Sequence, residues 1–153
     1  MKIEHDTINI KTDFKCSVEK LFKALTTEET KKLWYKKDDK AHDLIEFTSD
    51  MQVGGKEFCA IVLNEKTPVP GMRIDMFAEC MAREDNKTLV LSSRMESQGM
   101  LLSLSTETFQ FSSNGDGASL EFICQGTFFE NSDGAYIRRQ GWESMFEFWK
   151  GIL

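Results

Sequence analysis

Residues 101–127 read LLSLSTETFQFSSNGDGASLEFICQGT, and within them Asn114-Gly115-Asp116-Gly117 is a strong tight-turn signal between two strand-length runs, 101–112 and 118–127. Strands joined by so short a turn pair antiparallel. Upstream, no helical period long enough to rival strands appears between Asp43 and Thr127. The strand-like runs are 44–47, then 56–64 after Gly54-Gly55, then 72–83 after Pro68-Val69-Pro70-Gly71, and 88–95. An antiparallel meander is the simplest reading.

Outside the meander the pattern changes. Ile8, Ile10, Thr12 and Phe14 alternate with Asn9, Lys11 and Asp13, which predicts a first strand with one buried face. Ser17 is placed as an N-cap, and Val18, Leu21, Phe22 and Leu25 draw an apolar stripe along a short helix. Thr26 followed by Glu29 resembles a capping box, predicting a second short helix that runs to about Trp34. Downstream, Trp142, Met145, Phe146, Trp149 and Ile152 mark a stripe on a helix over 135–152, with Arg138, Arg139, Glu143, Glu147 and Lys150 free to face water. At ~1.5 Å per residue that helix is ~27 Å long, about the width of the sheet it must cover.

The 153 residues, 41% hydrophobic and 29% charged, fit one ordinary globular domain spanning 1–153. The formal charge of −6 opposes binding to a phosphate backbone, so nucleic acid is not an expected partner. Lys31, Lys32, Lys36, Lys37 and Lys40 are interspersed with Glu28, Glu29, Asp38 and Asp39, which reads as a solvated face rather than an anion site. The amino terminus lacks the apolar run of a signal peptide and no stretch reaches the ~20 apolar residues of a membrane span, so a cytoplasmic location is expected. Cys16, Cys59, Cys80 and Cys124 are widely spaced, as suits reduced, buried small hydrophobes.

The order of elements, with particular residues at its joints, resembles the START-like (SRPBCC, helix-grip) superfamily. Within it the chain is similar to the family of homologues of the heat-shock-protein-ninety ATPase activator, over nearly its whole length. The landmarks are Val18-Glu19-Lys20-Leu21-Phe22-Lys23-Ala24-Leu25-Thr26, Leu33-Trp34-Tyr35, Asp50-Met51-Gln52-Val53-Gly54-Gly55-Lys56, Glu79, Leu89 and Gly141-Trp142. Gln52 stands where the family often has Arg, and Ala82-Arg83-Glu84-Asp85 replaces a commonly Pro-containing turn. The resemblance implies an α+β helix-grip fold: a curved antiparallel sheet wrapped around the carboxyl-terminal helix, two short helices after the first strand, and a cavity between sheet and helix.

Chemistry-bearing motifs are sparse. His5 and His42 have no metal-ligand spacing, no C-x-x-C pair occurs, and G-x-S-x-G, G-x-G-x-x-G and the Walker pattern are all missing. No metal or cofactor is expected. Gly54-Gly55 reads as a tight turn needing positive φ before a strand. The expected pocket lining is Trp34 from the second helix, Phe58 and Met76 from the meander, and Trp142, Met145 and Trp149 from the terminal helix, all of which can equally be plain core. Met95 and Arg94 complete the set: an inward Arg94 would hold a polar head group, an outward one would pair with a surface acid.

Three functions fit. The first is binding of a small hydrophobic or amphipathic molecule, a lipid, polyketide-like or aromatic compound, without catalysis. The second is docking on a chaperone to stimulate its ATPase. The third is a cyclase or dehydratase-like enzyme in which Glu79 or Glu107 acts as base, although both read more simply as solvent-facing strand carboxylates. Monomer and weak homodimer are both compatible with the pattern.

Overall fold

In the computed structural model, which describes residues 1–36 and 41–153, Asn114 faces Gly117 across the turn and the strands on either side pair antiparallel as far as Ser103 and Phe128. The elements run β1 (Ile3–Phe14), α1 (Val18–Thr26), α2 (Glu28–Tyr35), β2 (His42–Ser49), β3 (Lys56–Leu63), β4 (Arg73–Glu84), β5 (Thr88–Ser97), β6 (Met100–Asn114), β7 (Gly117–Phe129) and α3 (Gly134–Ile152). All pairings are antiparallel, and the sheet order is β1-β7-β6-β5-β4-β3-β2. The first strand is thus carried across to the last, and the rest is the meander read from the sequence. Register breaks at Leu44/Glu46, Cys80/Ala82 and Met95/Glu96 bend the strands, as bulges do, and give the sheet its curve.

The inner face is set by strand parity. Leu89 and Leu91 of β5, Phe109 and Phe111 of β6, and Leu120 and Phe122 of β7 are all buried. Against them pack Leu21, Phe22 and Leu25 of α1 and Met145, Phe146 and Trp149 of α3. Phe122 is the hub, 4.4 Å from the Trp142 ring, 4.9 Å from Phe109 and 5.6 Å from Phe146. Among the described residues, no helix is long and apolar enough to cross a membrane.

Several local expectations need correction. Ser17 caps α1 through a bond from the Lys20 amide at 3.2 Å, as read. The capping box at Thr26 does not form: its hydroxyl donates back to the Phe22 carbonyl at 2.8 Å, and Thr27 stands at the N-cap of α2 instead. Ile152 is exposed, so the terminal stripe ends at Trp149. Of the lysine cluster, Lys37 and Lys40 lie outside the described residues, as do Asp38 and Asp39, and Lys36 is exposed. Lys31 is not on a solvated face: it is 3% exposed. Arg138, free to face water on the sequence reading, keeps only 10% of its side chain exposed.

Candidate functional site

Helix α3 packs chiefly over β1 and β7 and meets α2, so it lies closer to the β1–β7 side of the sheet than to β3 and β4. The sheet curves away there, and a cavity of about 620 Å³ opens between it, α2 and the first half of α3. Small-molecule sites run roughly 300–1,000 Å³. Five of the sequence-predicted site residues, Trp34, Met76, Met95, Trp142 and Met145, do line it.

The other three are placed differently. Phe58 is on the outer face of the sheet, its ring 5.1 Å from Phe77. Trp149 is fully buried in the core, 5.3 Å from Phe148, and does not reach the cavity; its indole N–H has no hydrogen-bond partner among the described residues. Arg94 borders the cavity but turns outward, pairing with Glu96 at 2.7 Å and lying 4.5 Å over Phe77. The open question about Arg94 is therefore answered by a surface acid.

The polar part of the wall comes from Lys31, Glu57, Glu107 and Arg138, of which the sequence points only to Glu107 as a site residue, as a candidate base. Lys31 Nζ donates to both Glu57 oxygens at 2.8 Å, and Ser49 Oγ donates to the same carboxylate at 2.8 Å. Glu57 is only 8% exposed, so this ion pair is closed off from water. Across the cavity, Arg138 donates from Nε and Nη2 to the two Asp133 oxygens at 2.8 Å each and to Ser103 Oγ at 2.9 Å, with its guanidinium 5.3 Å above Phe128. Burial works against the Arg138 charge, but the hydrogen bonds and charge of Asp133, with Glu107 beyond, outweigh it and hold the proton more tightly than usual.

Between the two ion pairs stands Glu107, on the inner face of β6 and 7% exposed. Its nearest help is a long 3.4 Å contact from Ser105 Oγ, with a hydrogen bond to Ser93. Burial raises the Glu107 pKa above the usual carboxylate value; Lys31 and Arg138 pull against that, Glu57 adds to it, and Ser93 pulls it back a little. The expectation of a solvent-facing side chain is corrected here for Glu107, whereas Glu79 is half-buried and lies off the cavity.

The sequence carries a signal for the burial of each of these charges. Lys31 precedes the buried Trp34 by three positions on α2, so both occupy one helix face. Arg138 precedes Trp142 by four and Met145 by seven on α3. Glu57 alternates with Cys59 and Ile61, and Glu107 with Phe109 and Phe111, each on the buried side of its strand. Charge had been read as a vote for solvent, and strand or helix parity overrules it.

Other reactive groups are quiet. All four cysteines are free, and burial pushes the Cys59 and Cys124 thiols up to about 12, which leaves them neutral and poorly nucleophilic. His5 contacts Thr127 on the exposed β1–β7 edge, and His42 Nε2 meets the Tyr35 carbonyl at 3.2 Å by the cavity wall. Among the described residues no cluster of three His, Cys, Asp or Glu side chains could hold a metal ion.

A bent antiparallel sheet closed around a carboxyl-terminal helix, with a cavity between them, defines the START-like helix-grip class. The family model described as activator of Hsp90 ATPase homolog 1-like protein matches residues 15–153, and the chain belongs to that family. Among solved structures, the chain is similar to protein Mll3558 from Rhizobium loti, with 25% identity, TM-score 0.85 and all of both chains covered. It is also similar to a putative uncharacterized protein from Rhizobium leguminosarum, with 20% identity, TM-score 0.86, and 97% of this chain and 94% of that one covered. The solution structure of the Aha1 dimer from Colwellia psychrerythraea shares the fold at 17% identity and TM-score 0.65, covering 95% and 93% of the two chains. No curated protein matches.

Proposed function

We propose that this chain is a single-domain cytoplasmic binding protein for a small amphipathic molecule, held between the sheet and α3 without chemical conversion. The observation that supports this reading is the pairing of a large Met- and Trp-lined wall with a buried polar patch. A cavity kept only by packing failure would be apolar, since isolated ionisable groups in a dry interior are expensive. Here Lys31, Glu57, Glu107 and Arg138 all face the same space. Methionine walls adapt to varied apolar shapes, and the polar groups fix orientation.

Native mass spectrometry of freshly purified protein tests this. An extra mass that vanishes on denaturation is expected from the parent chain and is expected to be lost in Ala78→Phe. Ala78 is a half-buried wall residue on β4, paired with Ser93 and Glu57, and a phenyl ring there fills the space a ligand needs. A bare chain mass from several expression hosts, together with no thermal stabilisation by any compound of a hydrophobic library, overturns the reading.

A second reading, a partner that stimulates a chaperone ATPase, is favoured by the family description and by the fold shared with the Aha1 dimer. The ligand-binding reading expects the ATPase rate of an Hsp90-class chaperone to stay unchanged on adding this protein. A saturable rise in steady-state ATP hydrolysis would transfer the function to the chaperone.

A further inference from the structure

We infer that Glu107 is the polar anchor of the cavity and that, with the Ser93 and Ser105 hydroxyls beside it, it selects uncharged hydrophobic ligands carrying a carbonyl oxygen. This rests on the ligand-binding reading above and adds the chemical class of the ligand. The argument begins with what the other charges are doing. Lys31 is closed onto Glu57 by two bonds at 2.8 Å, and Arg138 onto Asp133 by two more at 2.8 Å. Each cation already has its anion. A ligand carboxylate would have to break one of these pairs in a place shielded from water, or sit beside Glu107 with no cation to itself.

Among the described residues, Glu107 is the one carboxyl lining the cavity that is outside these pairs. Its neighbours across the ladder are Leu91 on β5 and Cys124 on β7, whose thiol is neutral, its contact from Ser105 is long, and Ser93 supplies a second hydroxyl. Burial is the largest influence on this carboxyl and raises its pKa against the pull of Lys31, Arg138 and the Ser93 hydrogen bond; the neutral acid it favours is a hydrogen-bond donor. A donor on a wall whose other charges are already paired is matched by a ligand acceptor that brings no charge of its own, and a ketone or similar carbonyl is the simplest such group. A ligand ammonium would instead require Glu107 to ionise, making a buried ion pair whose desolvation is seldom repaid.

The pH dependence follows with a definite sign. Among the described residues, the charged and titratable groups that face Glu107 are Lys31 and Tyr35 from α2, Glu57 from β3, Arg138 from α3 and Cys124 from β7. A ketone does not titrate, so its affinity is level on the acid side and falls as pH rises through the raised Glu107 pKa.

The test is isothermal titration of the full chain with four probes on one skeleton: methyl naphthyl ketone, naphthoate, naphthylmethylamine and ethylnaphthalene. The ketone is expected to bind about tenfold tighter than each of the others, the size of one good buried hydrogen bond. Glu107→Gln, which keeps an uncharged donor, is expected to retain that preference and lose the pH dependence. Glu107→Leu is expected to erase the preference while still binding ethylnaphthalene. Equal binding of ketone and ethylnaphthalene by the parent chain, or tighter binding of the amine or the carboxylate, overturns the assignment of Glu107 and leaves the cavity reading standing. Failure of all four probes to bind overturns both.

Discussion

Lys31→Met is expected to lower the unfolding free energy by about 3–5 kcal/mol, Glu57→Leu by a similar amount, and the double variant Lys31→Met/Glu57→Leu by much less than either. The reason lies in where the charges are. Lys31 and Glu57 are 3% and 8% exposed, and the 2.8 Å contacts between them replace the water each has lost. Removing one partner leaves an uncompensated charge in the wall of a largely apolar cavity, whereas removing both leaves two uncharged, apolar side chains of similar volume. Ser49 loses its acceptor in the double variant, but it is half-buried and can turn to water. A total stability of about 5–15 kcal/mol makes either single loss severe, with a melting shift on the order of 10 °C. Urea unfolding of the four proteins closes the cycle. Additive losses would mean that the two side chains act independently and that the pair does not tie α2 to the sheet.

That cycle also marks where the sequence stopped being legible. The meander and the terminal helix followed from turn residues and periodicity, because these are local signals and β2 to β7 pair as neighbours in sequence. The closure of β1 onto β7 is not local: Ile8 lies opposite Cys124, and no spacing within either strand announces the other. That pairing is seen only in the structure. In the site, the apolar residues on α2 and α3 were readable because a buried stripe is the commonest use of Trp and Met. Phe58 and Trp149 failed as wall residues for a shared reason. An apolar residue can satisfy its hydrophobicity on any dry surface, and the outer Phe58–Phe77 contact and the core beneath α3 were as good as the cavity. The buried charges were missed for the converse reason. Only the three-dimensional partner reveals that Lys31, Glu57 and Arg138 are affordable inside.

Gly55→Ala is expected to destabilise the chain by about 3 kcal/mol or more, well beyond Gly54→Ala, although the two positions look alike in sequence. The sequence reading took the doublet as one tight turn needing positive φ, and only Gly54 has it, at +84° with open space around the missing side chain. An alanine there meets the left-handed penalty of roughly 1–2 kcal/mol and nothing else. Gly55 is glycine for a different reason. A methyl group on it would overlap the Asp50 carbonyl oxygen and fall 2.8 Å from both Asp50 Cγ and the Gln52 carbonyl oxygen. Neither neighbour can retreat. The Gly55 amide donates to the Gln52 carbonyl at 2.7 Å, Asp50 donates to Lys56 at 3.0 Å, and Arg83 holds the Met51 carbonyl at 2.9 Å. Gly54 and Gly55 are further stitched to Cys80, at the β4 bulge, by bonds of 2.8 and 2.9 Å. Glu57 stands two residues beyond Gly55 on β3, so a shift of this turn moves one half of the ion pair that faces the cavity. Gly55→Ala is therefore expected to weaken methyl naphthyl ketone binding as well as lower the urea midpoint, while Gly54→Ala lowers the midpoint modestly and leaves binding unchanged. Equal effects of the two substitutions would show that backbone strain, and not close approach, sets the need for glycine at both positions.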